Sequence, residues 1–192
     1  MIGLLRRFAR DETGATAAEF ALVAIVFIGT TLGVIDTGRF ASEINSAKAA
    51  TRAGARIAVV SPMVSQTYAS YDGITHNYYA GQTIPDPAAG LGAVDVCTST
   101  SCSLGGRDAA AFTTIYTAMQ KYYTHLLPQN VVVEYRNVGI GTVGNPYAPD
   151  VEPLVTVRIQ NMTFSPGVLQ IFGMAPFLLP SMATSLSGED LG

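Results

Sequence analysis

Twenty-one consecutive residues, Ala15 to Ile35, carry one charge, the carboxylate of Glu19. A run of that length and apolarity matches the roughly 20 helical residues needed to cross a bilayer core. It commits one end of the chain to a membrane helix. Arg6, Arg7 and Arg10 precede the run, partly offset by Asp11 and Glu12, and Asp36 and Arg39 follow it. Basic residues on the N-terminal side keep that end in the cytoplasm, so the remainder is expected beyond the membrane. A cleaved secretory signal is the alternative. Its apolar region spans about 7–15 residues and ends in a small-x-small cleavage site. Here the run is longer and passes into a helical pattern without a turn residue, so we read a retained helix over residues 15–36.

Glu19 is the anomaly in that helix. A carboxylate costs roughly 2.5–3.5 kcal/mol at the centre of a membrane helix and less towards an end. One turn into the segment, Glu19 can simply reach the cytoplasmic interface. The functional reading is that it has a partner. A cut after Gly14 would create an ammonium on Ala15 and make Glu19 the fifth residue of the product. The ammonium of a neighbouring chain would then relieve this carboxylate when subunits assemble.

The stretch G-A-T-A-A-E-F resembles the cleavage signature of type IV pilins and pseudopilins. The larger stretch G-A-T-A-A-E-F-A-L-V-A, with D-T-G-R and A-A-T-R-A-G-A-R downstream, resembles the TadE-like family of tight-adherence pilus assembly proteins over roughly residues 10–60. The resemblance implies a prepilin peptidase acting between Gly14 and Ala15, Glu19 as the assembly carboxylate and Phe20 as its aromatic neighbour. It also implies a leader over residues 1–14 and a pilin-like plan. Relatives often carry a proline soon after E-F-A-L; Ile25 stands there in this chain, so no proline kink is expected.

Gly29 and Gly33 form a G-x-x-x-G, the spacing at which small residues let two membrane helices approach. Glycine is also common in membrane helices on its own account. No proline occurs between Gly14 and Ser61, and Phe40, Ile44, Ala47, Thr51, Ala55 and Ala58 recur at spacings of three and four. This predicts an amphipathic continuation over residues 37–60, ended by Ser61-Pro62. Lys48, Arg52 and Arg56 line another stripe, read as a solvated face, with anionic lipid or an acidic partner as the alternative.

Residues 61–192 are expected to form a periplasmic α+β domain. Within it, 61–106 lacks a sustained period and reads as irregular, with Tyr68, Tyr71, Tyr78 and Tyr79 either adhesive or tethering the loop to its own core. Asp108 is positioned to cap a second helix from Ala109 to about Leu127, with Ala111, Ile115, Ala118 or Met119, and Tyr122 along one side. Val131, Val133 and Tyr135 share one strand face, and Val155, Val157 and Ile159 another. The phase then shifts to Met162 and Phe164, which suggests a bulge near Gln160-Asn161. Ser181 to Ser187 reads as a third antiparallel strand. The apolar, proline-broken 166–180 is expected to tuck under the sheet; an exposed surface against the membrane or another subunit is the alternative. Cys97 and Cys102 are spaced for neither redox C-x-x-C nor zinc, and a local disulfide suits an exported segment.

Only 13% of the 192 residues are charged, against about 25% in an average soluble domain. That deficit fits a chain lying partly in lipid or against other subunits. The net charge of −3 argues against nucleic acid, which needs clustered cations. No nucleophile elbow, P-loop or H-E-x-x-H is present, no metal or cofactor is implied, and His76 and His125 stand isolated. The expectation is a structural subunit without enzymatic activity, a minor pseudopilin of the Flp-type pilus machinery in the bacterial inner membrane. Its expected partners are the prepilin peptidase, other minor pseudopilins, the major pilin, the inner-membrane assembly platform and membrane lipid. The competing reading is an uncleaved single-pass protein whose periplasmic domain binds or adheres.

Overall fold

The computed structural model describes residues 13–92, 94–144 and 149–187. Most of the expected leader, with Arg6, Arg7, Arg10, Asp11 and Glu12, lies outside the described residues. So does the middle of the Gly139–Asp150 linker.

The first element, α1, is one uninterrupted α-helix over Thr13–Val60. Its sequence is rich in alanine and free of proline, and Pro62 stops it because the ring has no N–H to continue the ladder. The chain divides into two compact units, and α1 contributes to both. One comprises the chain up to Ala41 with Ser165–Pro176, the other Ser42–Phe164 with the residues from 177 onward.

Two further α-helices follow, the single-turn α2 over Gln66–Ala69 and α3 over Ala109–Gln120. The strands are β1 Asp95–Cys97, β2 Val131–Arg136, β3 Leu154–Ile159, β4 Thr163–Phe164, β5 Phe177–Leu178 and β6 Met182–Ser187. The main sheet has the order β1-β2-β3-β6, and β4 pairs with β5 in a separate ribbon. Every neighbouring pair in the main sheet is antiparallel, with Val133 opposite Val157 and Val157 opposite Thr184.

In the second unit, the buried face of α1 is made mostly of small residues, Ala47, Ala50, Thr51, Ala55 and Ala58, with Val59 near its end. Gly54 shows how close the packing is. A Cβ there would stand 2.6 Å from Met119 Cγ, on α3, and 3.1 Å from Val157 Cγ1, on β3. The Thr184 hydroxyl donates to Thr51 Oγ1 at 3.0 Å, joining the outer strand to α1. Val131, Val133, Tyr135, Val155, Val157 and Ile159 are all buried. A fully buried side chain of this size is stabilised by roughly 1.5–3 kcal/mol relative to its exposed state, so this strip is a substantial part of the core.

The α+β plan, a long apolar N-terminal helix with a small antiparallel sheet domain, is the one expected. Several details differ. β1 and α2 both lie inside the stretch read as irregular. Asp108 caps α3 as expected, accepting from Ala110 N and Ala111 N, but the helix ends at Gln120 and not near Leu127. The N–H groups of Tyr122 and Tyr123 both turn back to Met119 O, and Tyr123 is buried where Tyr122 was expected. The phase shift after Ile159 is not a bulge. Asn161 takes a left-handed conformation (φ 56°), and the chain leaves the main sheet for the β4-β5 ribbon. Asn130 fixes this departure by donating from Nδ2 to both Gln160 O and Asn161 O.

The tyrosines of 61–106 mostly tether. Tyr68 OH accepts from Asn137 N at 3.1 Å, and in the reverse direction Tyr135 OH accepts from Val64 N at 2.9 Å. Tyr71 OH donates to Ala89 O, while Tyr78 OH accepts from Ala89 N. Tyr79 is the exposed one of the four, at 82%. Buried carboxylates organise the remaining loops. Asp95 accepts from the hydroxyls of Ser65 and Ser103 and from Leu104 N, and Asp150 accepts from Gly73 N and Gly144 N. These bonds replace regular ladders in satisfying buried polar groups.

Candidate functional site

The candidate site is the apolar half of α1 with the acids at its two ends. Gly14 and Ala15 are exposed in the first turn, and Glu19 is exposed one turn further on. Phe20 is 75% exposed. Leu22, Val23, Val26, Phe27 and Thr30 line one shallow apolar surface. With about 3.6 residues per turn, positions i+3, i+4, i+7 and i+11 fall on one helix face, so Glu19 belongs to the same stripe. The Glu19 side chain has no ion pair or hydrogen bond among the described residues. The structure therefore presents a lone carboxylate at the head of an unpartnered apolar stripe.

Gly29 and Gly33 are open: among the described residues, a Cβ at either would meet nothing within 4 Å. The hydroxyls nearby are turned inward along the helix. Thr30 and Thr31 both donate to Phe27 O, and Thr37 donates to Gly33 O. A hydroxyl satisfied by the preceding turn adds little polar cost to an apolar surface. The helix is long and apolar enough to cross a membrane, and its most apolar stretch has no buried residue.

Asp36, the first charge after the apolar run, was not among the expected site residues. Its side chain is buried and accepts three backbone N–H groups, from Gly167 at 3.1 Å, Val168 at 3.0 Å and Leu169 at 2.7 Å. Arg39 pairs with it at 3.4 Å. The D-T-G-R of the sequence is thus a clamp on a segment 131 to 133 residues away. The available signal was a carboxylate placed where the apolar run ends.

That clamped segment corrects another expectation. Residues 166–180 are not buried throughout: Phe172 is 64% exposed and Leu178 70%, with Met174 and Phe177 also exposed. Three prolines and two glycines prevent a regular element that would bury them, leaving a 3₁₀ turn over Leu169–Phe172. Leu179 does turn inward, with its N–H bonded to Met162 O.

Residues 14–56 match the family model described as TadE-like protein. The similarity to the TadE-like family is confined to this N-terminal stretch. The matched region comprises the apolar half of α1 and most of its amphipathic half, including Glu19, Asp36 and Gly54; the sheet lies outside it. The TadE-like family is a structural pilus component, and the matched stretch is similar to it. No curated protein and no solved structure significantly matches the chain.

Beyond the TadE-like features the chain offers less. Cys97 and Cys102 are joined in a disulfide. The grouping of Asp95 with these two sulfurs accordingly has no thiolate to offer a metal. Lys48, Arg52 and Arg56 are exposed, and the last two line a shallow groove with Lys121 and Tyr122. His76 stacks on Tyr71 with ring centroids 4.7 Å apart, and His125 meets Tyr123 edge-on. Among the described residues, neither histidine forms an ion pair with a carboxylate.

Proposed function

We propose that the protein is a minor pseudopilin of the tight-adherence, Flp-type pilus machinery. It is inserted with its N-terminus in the cytoplasm and its sheet domain in the periplasm. A prepilin peptidase cuts it between Gly14 and Ala15, and it then assembles with other minor pseudopilins and the major pilin on the inner-membrane platform. It acts as a substrate and a building block.

One observation carries this reading. Glu19 is an exposed carboxylate, unpartnered among the described residues, at the head of an exposed apolar stripe inside the stretch similar to the TadE-like family. In lipid such a group is unfavourable alone and relieved by a cation. Cleavage would supply that cation as the Ala15 ammonium of an adjacent subunit. The reading predicts that Glu19→Ala abolishes pili while leaving processing after Gly14 intact, scored by electron microscopy and by the size of the membrane-bound protein. Normal pili on processed Glu19→Ala cells would refute it. Retention of Met1 in the membrane-bound wild-type protein would instead favour an uncleaved anchor carrying a periplasmic binding module.

A further inference from the structure

The Asp36 clamp and the exposed side chains beyond it belong to one compact unit with the apolar helix. Asp36 is the first charged residue after the run ending at Ile35, and so stands where hydrocarbon gives way to headgroups. The segment it holds has no charge anywhere between Arg158 and Glu189. Its exposed residues include Phe172 and Met174. At this length it cannot cross a bilayer, but it can lie in the interface with Phe172 and Met174 among the upper acyl chains.

Backbone in a poorly hydrated region must have its polar groups satisfied. Much of that is met here. The N–H groups of Gly167, Val168 and Leu169 go to Asp36, Gly173 N donates to Gln170 O, and Met174 N donates to Leu169 O. A side chain at Gly167 would collide with the Arg39 guanidinium, so glycine permits the close approach. Arg39 itself remains half exposed, with N–H groups left for lipid phosphate.

We propose that residues 168–174 form a second membrane contact, an interfacial apolar loop fastened to the exit of the membrane helix by Asp36. The contact rests on the anchoring reading above, and its occupant is the lipid interface. It would restrict how the chain beyond the membrane turns about its anchor.

The chain contains no tryptophan, so a single introduced tryptophan reports without background. The full chain would be reconstituted in phosphatidylcholine vesicles brominated high or deep in the acyl chains, carrying either Phe172→Trp or Ile25→Trp. The Phe172→Trp protein should emit blue-shifted light and lose most of it to the shallow bromines. The Ile25→Trp protein should respond most to the deep ones. Quenching of Ile25→Trp without quenching of Phe172→Trp refutes the second contact and leaves the anchor standing. Failure of both refutes both. A blue-shifted Phe172→Trp emission that bromines do not quench means that the indole is covered by protein, and this too overturns the proposal. Adding Asp36→Ala to Phe172→Trp should restore emission; undiminished quenching there refutes the clamp.

Discussion

Tyr135 offers a two-sided test of how the sheet is tied to the end of α1. Its side chain is fully buried, and its hydroxyl accepts the N–H of Val64, four residues beyond the helix. Tyr135→Phe removes the acceptor and strands a buried N–H, which costs about 1–3 kcal/mol. Burial also pushes the Tyr135 hydroxyl from its ordinary value near 10 up to about 12, against the pull of the Val64 bond. An unfolded tyrosine ionises near pH 10, so between about pH 10 and 12 the unfolded chain has shed a proton that the folded chain keeps. Stability from this group is complete below about pH 10 and is lost as the pH rises through about 12. Two units at about 1.36 kcal/mol each give a loss of roughly 2–3 kcal/mol. Tyr68, Tyr71 and Tyr123 are raised in the same direction by burial, but both proteins share them. The difference between wild type and Tyr135→Phe therefore isolates Tyr135. Urea unfolding of the detergent-solubilised chain, followed by tyrosine near-UV circular dichroism, should show the variant weaker at about pH 8, below the titration of either state. The two midpoints should converge between about pH 10 and 12. Parallel pH dependences, or equal stability at the lower pH, would refute the reasoning.

Gly54→Val should destabilise the sheet domain by about 1–3 kcal/mol, because Met119 and Val157 are fully buried and have little room to yield. A urea midpoint equal to or above wild type would contradict that packing. A Cβ at Gly29 or Gly33 meets nothing within 4 Å among the described residues, so Gly29→Leu with Gly33→Leu should leave the urea midpoint unchanged while reducing co-purification with other pilus subunits. Undiminished co-purification would remove these glycines from the assembly surface.

What the sequence revealed tracks how local each signal was. The end of α1 at Ser61-Pro62, the Asp108 cap and the alternation of Val155, Val157 and Ile159 depend on neighbours in sequence, and each appears in the fold. β1 has three residues, too few for a period-2 pattern to stand out, and it is defined by its pairing with β2. Met119 likewise draws the N–H groups of Tyr122 and Tyr123 into a turn, which stops α3 without a proline or glycine. The role of Asp36 depends on three N–H groups 131 to 133 residues away, a distance no spacing argument bridges. The apolar composition of 166–180 suggested burial, but its glycines and prolines deny it a regular face to bury. Glu19 was conspicuous because a charge in an apolar run is conspicuous; the structure adds that it heads an exposed stripe.

The most direct test of the central claim is the N-terminal sequence and intact mass of the protein recovered from its native membrane. A start at Ala15, with the mass of residues 1–14 lost, is the predicted result, because it creates the ammonium that Glu19 is proposed to meet. A start at Met1 would contradict the account and leave Glu19 an interfacial carboxylate on a plain membrane anchor.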